Sequence, residues 1–286
     1  MEPPPYELVP GRYGISLTRT GEAAVSCRVP ALPATLDDDG ALRAAAVLMG
    51  IDMGAGLAAG LGVLPRWSVT ADAFVVFVGR CRVGPLRVDA RCVRAGRRLS
   101  LAEFRAVDEG AGDAPVAWGT AGHGVLEPDF DPLLASAPVG AEHHFPRPPS
   151  NEAARSLEDQ FGITSGVDEV TGGVLVRAPL DERTRNPWGI FHGGLYGLLV
   201  CDVLGAARLG APRVLGLRFV NPVREKAAEA RVVPVDGSGG GVSGGDGSGG
   251  DRFGRGAVRV VVTDAGSGRT AVLADVVVDP TRAAAD

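Results

Sequence analysis

The sequence has few of the residues that indicate a secreted disulfide framework, a metal site or a base-stacking surface. Its 286 residues include four cysteines, none in a CxxC or other metal-type spacing: Cys27, Cys81, Cys92 and Cys201. Aromatic side chains make up only 5% of the chain, which disfavours a surface that stacks nucleic-acid bases. We therefore expect a reduced, cytoplasmic protein without a resident metal ion.

Excess positive charge and uninterrupted apolar segments are also lacking. The formal net charge is −5, which opposes general binding to nucleic acid. No apolar run of membrane-spanning length is free of Gly, Arg or Asp, and residues 1–12 lack the apolar core of a signal peptide. We expect neither a nucleic-acid nor a membrane partner, and we interpret residues 1–12 as a loose leader.

Small and branched apolar residues are abundant, and their spacing predicts an α+β fold. Apolar residues amount to 45% of the chain, enough for one large domain or two ordinary ones. Helical spacing predicts helices over 41–59 and 192–209. Short runs between Gly and Pro turns predict strands at 24–29, 68–78, 86–93, 99–107 and 116–125, then at 174–179, 214–220, 227–235, 257–264 and 271–278. The Pro- and Asp-rich residues 127–150 are interpreted as a linker.

The two halves of the chain repeat the same pattern. Residues 161–163 (FGI) match residues 13–15 (YGI), and 174–179 (VLVRAP) match 25–30 (VSCRVP). The spacing is sustained at 149 residues by three pairs: Gly40 with Gly189, Arg43 with His192, and Gly56 with Gly205. Such a register indicates duplication, and we predict domains at 1–135 and 136–286.

A Gly/Ser-rich insert at 237–250 interrupts the second half and is predicted to be a flexible loop. It contains GVSGG at 241–245, which formally matches the GxSxG of a nucleophile elbow. That motif requires a strand before the serine and a helix after it. Neither is predicted here, so we interpret the match as chance.

The most informative segment is NPWGIFHGG at 186–194, which leads directly into the second predicted helix. Asn186 and Pro187 favour a turn, and the pair Gly193-Gly194 allows another molecule to approach the backbone closely. The first turn of a helix presents unpaired N–H groups and a partial positive charge. A carbonyl oxygen that develops negative charge would be stabilised there.

This segment resembles the Asn-x-x-Gly-x-x-His-Gly-Gly signature of the PaaI-type acyl-CoA thioesterases, which belong to the hotdog-fold superfamily. With the internal repeat, the resemblance implies a double hotdog: two tandem copies, each a curved antiparallel sheet wrapped around a central helix. It implies hydrolysis of a small-molecule acyl-CoA thioester without a resident cofactor, since coenzyme A enters as part of the substrate. A homodimer of double-hotdog chains is the expected assembly.

In this family the facing subunit supplies an acid from its own helix, with six residues between the glycine pair and the acid. The second copy has Cys201 at that position, and Asp202 comes one residue too late. One step along a helix turns a side chain by about 100°, so Asp202 is expected to point elsewhere.

The first copy has the complementary defect. Arg43-Ala44-Ala45 replaces His-Gly-Gly and Asp37 stands at the Asn position, yet Asp52 occupies the acid position. Thr70 stands where the family often carries a water-orienting hydroxyl. The resemblance therefore implies one complete composite site from Asp52, Thr70, Asn186, His192 and Gly193. The other composite, Asp37 and Arg43 with Cys201, looks degenerate.

Less specific interpretations remain beside these assignments. Asp52 could be a buried structural carboxyl group, and His192 could simply cap the helix. For coenzyme A we assign Gly194 and the hairpin arginines Arg94, Arg97 and Arg98, with Arg252 and Arg255 at the matching turn, although each arginine could equally be a solvated turn charge. We expect His123, His143 and His144 to face solvent, and Cys201 to be a small core residue.

Two other functions stay open. The altered residues of the first copy suit a non-catalytic acyl-CoA-binding or regulatory protein. A hotdog dehydratase or hydratase is the second alternative, which the His-Gly-Gly signature opposes. Whether Asp52 acts as nucleophile or general base, and which acyl group is used, are not determined by the sequence.

Overall fold

The computed structural model describes residues 8–127, 134–233 and 256–279. The predicted loop at 237–250, Arg252 and Arg255 lie outside these residues. The helices are α1 (Leu8–Arg12), α2 (Ala44–Leu61), α3 (Ser150–Ala153), α4 (Leu157–Phe161) and α5 (Leu195–Ala206). The strands are β1 (Ser16–Gly21), β2 (Ala24–Val29), β3 (Trp67–Phe77), β4 (Leu86–Ala95), β5 (Leu99–Asp108), β6 (Ala114–Leu126), β7 (Glu142–His144), β8 (Thr164–Val167), β9 (Val174–Pro179), β10 (Ala211–Phe219), β11 (Ala227–Val233), β12 (Ala257–Asp264) and β13 (Thr270–Asp279).

The strands of the described chain form one antiparallel sheet, in the order β7-β1-β2-β4-β5-β6-β3-β10-β13-β12-β11-β9-β8. The expectation of two separate sheets is wrong in this respect, because β3 pairs with β10 and places Val76 opposite Val214. On the two sides of this junction the strands follow one another in mirrored order, as an internal repeat requires.

Helices α2 and α5 are the central helices of the two halves. Helix α2 contacts β2 to β6, and α5 contacts β9 to β12. Both are apolar on all sides, which is typical of helices enclosed in a core. By length and composition α2 could span a membrane, but 78% of its residues are buried inside the fold. The two helices also contact each other, and this contact positions the candidate site.

The segments that lead into the two helices repeat the same hydrogen bonds. The Arg43 amide donates to the Thr35 carbonyl at 2.9 Å, and the His192 amide donates to the Thr184 carbonyl at 2.8 Å. These bonds hold the residues just before each helix in an extended approach. The helices therefore begin three residues later than the apolar spacing predicts, at Ala44 and Leu195.

Three segments differ from the sequence-based expectation. Residues 8–12 of the predicted leader form α1, in which Val9 and Arg12 are buried. Within the predicted linker, β7 pairs with β1, and the following Phe145 is buried. Strands β1 and β8 were not predicted, because SLTRTG and TSGV lack the alternating apolar pattern that identifies a strand. Their backbone pairing, which sequence patterns do not register, makes them strands.

Candidate functional site

The candidate site lies where the beginning of α5 meets the middle of α2. Close approach is possible because α5 starts among glycines. A Cβ atom on Gly194 would lie 2.5 Å from the Met49 Sδ, and one on Gly197 would lie 2.8 Å from the Leu48 Cβ. A Cβ on Gly193 would lie 3.0 Å from the Asp52 Oδ1. The acid of one half is therefore held directly against the glycine pair of the other half.

Asp52 is fixed by a hydrogen bond from strand β3. The Thr70 hydroxyl donates to the Asp52 Oδ1 at 2.9 Å. Thr70 stands at an irregularity in the β3–β6 register, between Thr70 and Asp72. A bulge of this kind redirects a side chain relative to the regular strand. The side chain of Asp52 is 16% exposed, so it is largely shielded and still accessible from a cavity.

His192 is a buried, neutral imidazole. The Gly194 amide donates to its Nδ1 at 3.1 Å, so Nδ1 is the acceptor nitrogen and the proton sits on Nε2. Burial lowers the pKa of His192, while the charge of Asp52 opposes that shift. The Asp52 Oδ2 lies 3.8 Å from the Nδ1. Because the imidazole is neutral and its Nδ1 already accepts the hydrogen bond from the Gly194 amide, this contact is close packing and not an ion pair.

Two further donors converge on the same place. The Asn186 Oδ1 accepts the amides of Trp188 at 3.0 Å and Ile190 at 3.3 Å, which leaves its NH₂ group for a ligand. Among the described residues the Gly193 amide has no hydrogen-bond acceptor. It lies at the beginning of α5, where a helix carries partial positive charge. These groups suit a developing negative charge.

A cavity of about 470 Å³ opens over these groups. Asp52, Thr70, Asn186, His192 and Gly193 all line it. Most of the remaining wall is apolar and includes Leu57, Trp67, Leu126, Phe145, Trp188 and Phe219. An apolar cavity with a few convergent polar groups is the usual form of a small-molecule site. The five residues of the predicted composite are therefore brought together, although they are spread over 142 positions of the chain from Asp52 to Gly193.

The second composite position is filled by charged side chains. The Arg43 Nη2 lies 3.0 Å from the Asp202 Oδ1 and 2.6 Å from the Glu158 Oε1. Burial, together with the charge of Glu158, raises the pKa of Asp202 to about 7, although Arg43 opposes the shift. The thiol of Cys201 is buried, and burial raises its pKa as well, which suits a core residue and not a nucleophile. Asp202 thus points towards Arg43 and away from the Gly193 amide.

The residues predicted to bind coenzyme A lie in two places. Gly194 packs against Met49 and does not line the cavity. Arg94, Arg97 and Arg98 are exposed at the β4–β5 turn and do not line it either. The turn is nevertheless adjacent to it, because the Arg98 carbonyl accepts the amide of Val125, the neighbour of cavity residue Leu126.

Several polar residues of the cavity wall were missed by the sequence analysis, His123 and Arg224 among them. His123 was expected to face solvent, which is wrong: it is 1% exposed and lines the cavity. A run of small residues before it (GTAG) is the only sequence signal that this part of β6 packs closely. Arg224 lines the cavity as well. Among the described residues no group of three or more His, Cys, Asp or Glu side chains could hold a metal ion.

Comparison with solved structures identifies the fold. An acyl-ACP thioesterase from Bacteroides thetaiotaomicron matches with a TM-score of 0.54 and 12% identity, over 89% of this chain and 97% of that one. The tesB protein of Mycobacterium avium subs paratuberculosis matches with a TM-score of 0.52 and 14% identity, over 94% and 96%. The 12:0-ACP thioesterase from Umbellularia californica gives a TM-score of 0.51 and 11% identity, over 89% and 93%.

These neighbours are hotdog-fold thioesterases, and the chain therefore has the fold of that class. The identities are low, so the likeness concerns the fold. No protein-family model matches the sequence, and the search of curated proteins gave no match.

Proposed function

We propose that the chain is an acyl-CoA thioesterase of the PaaI type with one working site. Asp52 and Thr70 come from the first copy, and Asn186, His192 and Gly193 come from the second. The observation that carries this proposal is the contact of the Asp52 carboxyl group with Gly193 at the beginning of α5, inside an apolar cavity. A carboxylate beside a converging set of donors is the arrangement that acyl transfer needs.

In the proposed mechanism the thioester carbonyl lies over the beginning of α5. The Gly193 amide donates to the carbonyl oxygen, with the Nε2–H of His192 and the NH₂ of Asn186 nearby. Negative charge grows on this oxygen as the tetrahedral intermediate forms. Donors that are already in position stabilise this charge without reorganising, and each such donor commonly contributes about 100-fold or more to the rate.

Asp52 begins the reaction in one of two ways. As a general base it takes a proton from water, and the new hydroxyl group adds to the carbonyl carbon. As a nucleophile its carboxylate oxygen adds directly, and water then hydrolyses the mixed anhydride. In both cases the C–S bond breaks and the sulfur leaves as a thiolate that takes up a proton. The products are the free acid and the thiol of coenzyme A.

The proposal extends to the architecture around the site. Residues 1–135 and 136–286 are taken as the two hotdog copies, with the sheet of each copy wrapped around α2 or α5. The contacts of α2 with β2 to β6 and of α5 with β9 to β12 support this division. We further propose a cytoplasmic homodimer of double-hotdog chains.

The apolar cavity wall suits an acyl group, and the arginine turn suits the phosphates of coenzyme A. Arg94, Arg97 and Arg98 stand beside the strand end that carries Leu126, and guanidinium groups bind phosphate in a bidentate manner. Gly194 stays in the proposal as a backbone contact beside Gly193. The reaction requires no resident cofactor, since coenzyme A arrives with the substrate.

The decisive experiment is incubation of the purified protein with a panel of acyl-CoA thioesters and a free-thiol reagent. We expect thiol release at a rate that saturates with substrate. Two of the structural neighbours are named acyl-ACP thioesterases, so the same acyl groups on acyl carrier protein form a second arm. Binding of acyl-CoA without thiol release would support the non-catalytic alternative. Formation or loss of an acyl double bond with the thioester intact would support the dehydratase or hydratase alternative.

A further inference from the structure

His123 is a buried polar side chain that the mechanism above does not use. It lies on β6 and is 1% exposed. Its Nδ1 is 3.1 Å from the carbonyl oxygen of Ala121. A carbonyl oxygen only accepts hydrogen bonds, so this Nδ1 carries the proton and Nε2 is the bare acceptor. Burial lowers the pKa of His123, with the charge of Asp52 as the largest opposing influence, which agrees with a neutral ring.

The acceptor nitrogen of His123 has no partner within the described parts of the chain. A buried polar atom without a hydrogen bond costs about 1–3 kcal/mol, so such atoms are rare in folded proteins. Gly56 of α2 is close to this nitrogen: a Cβ atom at that position would lie 3.8 Å from the His123 Nε2, in ordinary van der Waals contact. Glycine offers no side-chain group that could donate to it. Packing alone therefore does not explain why an imidazole occupies this position.

The neighbours of His123 are the reacting groups of the proposed site. Thr70 is its direct cross-strand partner, and Thr70 in turn donates to Asp52. Asp52, Thr70, His123 and Gly193 line the main cavity and also a smaller one of about 20 Å³. A space of that size is sufficient for one water molecule. Most of the wall of this smaller space is apolar, and Asp52, Thr70 and His123 are the polar side chains that line it among the described residues. A water molecule there would bind to these groups.

The two histidines of the site have opposite tautomers. His192 presents Nε2–H, a donor, because its Nδ1 accepts from the Gly194 amide. His123 presents a bare Nε2, an acceptor, because its Nδ1 donates to Ala121. A donor is useful on the side where the carbonyl oxygen becomes negative. An acceptor is useful on the side from which water approaches, since a water molecule has two protons to donate.

We infer that His123 is a catalytic residue that binds the attacking water, whose two protons are donated to the His123 Nε2 and to the Asp52 carboxylate. A lone pair of the water oxygen is then directed towards the thioester carbon. Asp52 removes its proton as the C–O bond forms, and His123 keeps the other proton hydrogen-bonded without taking it. This assignment rests on the proposed hydrolysis and on the general-base form of the mechanism.

The kinetic test compares His123→Leu with His123→Gln. Leucine fills the space without an acceptor, so kcat should fall by about 10- to 100-fold, while KM stays within about twofold because the acyl group still fits. Glutamine offers its Oε1 as an acceptor and should restore most of kcat. His144→Leu is the matched control, since that imidazole is 70% exposed on β7. An unchanged kcat in His123→Leu, or an effect on KM alone, would overturn the assignment.

The pH profile provides a readout that a packing role would not affect. An imidazolium cannot accept a hydrogen bond, so kcat should fall as the pH drops through the lowered pKa of His123. The charged and titratable groups that face this ring or share its cavity are Asp52 on α2, Asp72 on β3, His192 and Tyr196 at the beginning of α5, and Arg224 between β10 and β11. In His123→Gln the acid limb of the kcat profile, where kcat falls with decreasing pH, should move to lower pH. A limb that stays in place in this variant would contradict a role for His123.

A measurement without substrate separates this inference from the proposed function. Nitrogen-15 NMR of histidine-labelled protein at neutral pH should show a bare Nε2 on His123 and a protonated Nε2 on His192. The signals of His123 are assigned by their loss in His123→Gln. A protonated His123 Nε2 overturns the inference even if the protein hydrolyses thioesters. If the wild type releases no thiol from either carrier, the proposed function fails, and the water-binding role fails with it whatever the tautomer.

Discussion

At the scale of single residues, the site depends on which of two aspartates faces the glycine pair. Asp52 and Asp202 both lie in central helices, but they differ by one position in the repeat. Asp52 contacts Gly193 and Thr70, whereas Asp202 pairs with Arg43. A step of one residue turns a helical side chain by about 100°. This rotation is enough to direct one aspartate towards the cavity and the other towards an arginine.

We predict that Asp52→Asn lowers kcat by at least about 100-fold and leaves the fold intact. Asparagine has nearly the same size and can still accept the Thr70 hydroxyl, but it is neither a base nor a nucleophile. Thiol release from the best acyl-CoA substrate measures the loss, and a thermal melt reports the fold. Asp202→Asn is the control and should keep its activity. Activity in Asp52→Asn above a tenth of the wild-type level would mean that another group is the acid.

At the scale of secondary-structure elements, the closeness of α2 and α5 matters most. Glycines at 193, 194 and 197 place the beginning of α5 directly on α2, so that the acid from one helix reaches the amides of the other. Larger residues would separate the helices and move Asp52 away from the Gly193 amide. The glycines are therefore as important to the geometry of the site as the polar side chains.

Gly194→Ala should destabilise the protein by about 1–3 kcal/mol, since its methyl group would lie 2.5 Å from the sulfur of the fully buried Met49. Urea denaturation measures this change. Gly205→Ala provides the control in the same helix: its Cβ would meet nothing within 4 Å, and it should stabilise by about 0.5–1 kcal/mol through helix propensity. Similar effects of the two substitutions would show that helix propensity, and not contact with Met49, decides the outcome. Gly194→Ala is also expected to cost less stability when it is introduced into Met49→Ala than when it is introduced into the wild type.

At the scale of the whole molecule, the two halves repeat one plan, but the two composite positions differ within the described residues: the one around Asp52 opens into a cavity, and the other is occupied by charged side chains. The pairing of β3 with β10 joins the halves into one sheet. The position that the internal repeat relates to the Asp52 site contains Arg43, which forms ion pairs with Glu158 and Asp202. Buried ion clusters of this kind cost desolvation energy, so this one should be visible in the pH dependence of stability.

The pKa of Asp202 is raised to about 7 in the folded protein, above its value in the unfolded chain. The folded state therefore favours the protonated form, and that contribution to stability is present at low pH and is lost as the pH rises through 7. We predict that the wild type loses about 1 kcal/mol of unfolding free energy between pH 6 and pH 8 that Asp202→Asn does not lose, because asparagine does not titrate. Unfolding free energies at the two pH values measure the difference. Asp275→Asn, in an exposed pair with Arg259, should show no such trend, and a parallel course of wild type and Asp202→Asn would contradict the assignment.

The sequence by itself determined the order of the main elements and selected the candidate residues that the structure brings together around one cavity. Apolar spacing located both central helices, and alternation located the longer strands, because these patterns follow from which faces are buried. The 149-residue repeat and the segment 186–194 selected Asp52 over Asp202 through their register along a helix. These are local properties, and a linear sequence contains them.

Only the tertiary structure decided which distant groups meet. Strands β1, β7 and β8 exist through pairing with neighbours, and the junction of β3 with β10 depends on how the halves approach. His123 is the clearest example of a residue whose role the local sequence does not indicate. In the sequence it is a single histidine that follows a run of small residues. Its place in the same cavity as Asp52 follows from its cross-strand pairing with Thr70, and its tautomer follows from the Ala121 carbonyl beside its Nδ1. Such relations arise from contacts between segments far apart in the chain, and no local pattern specifies them.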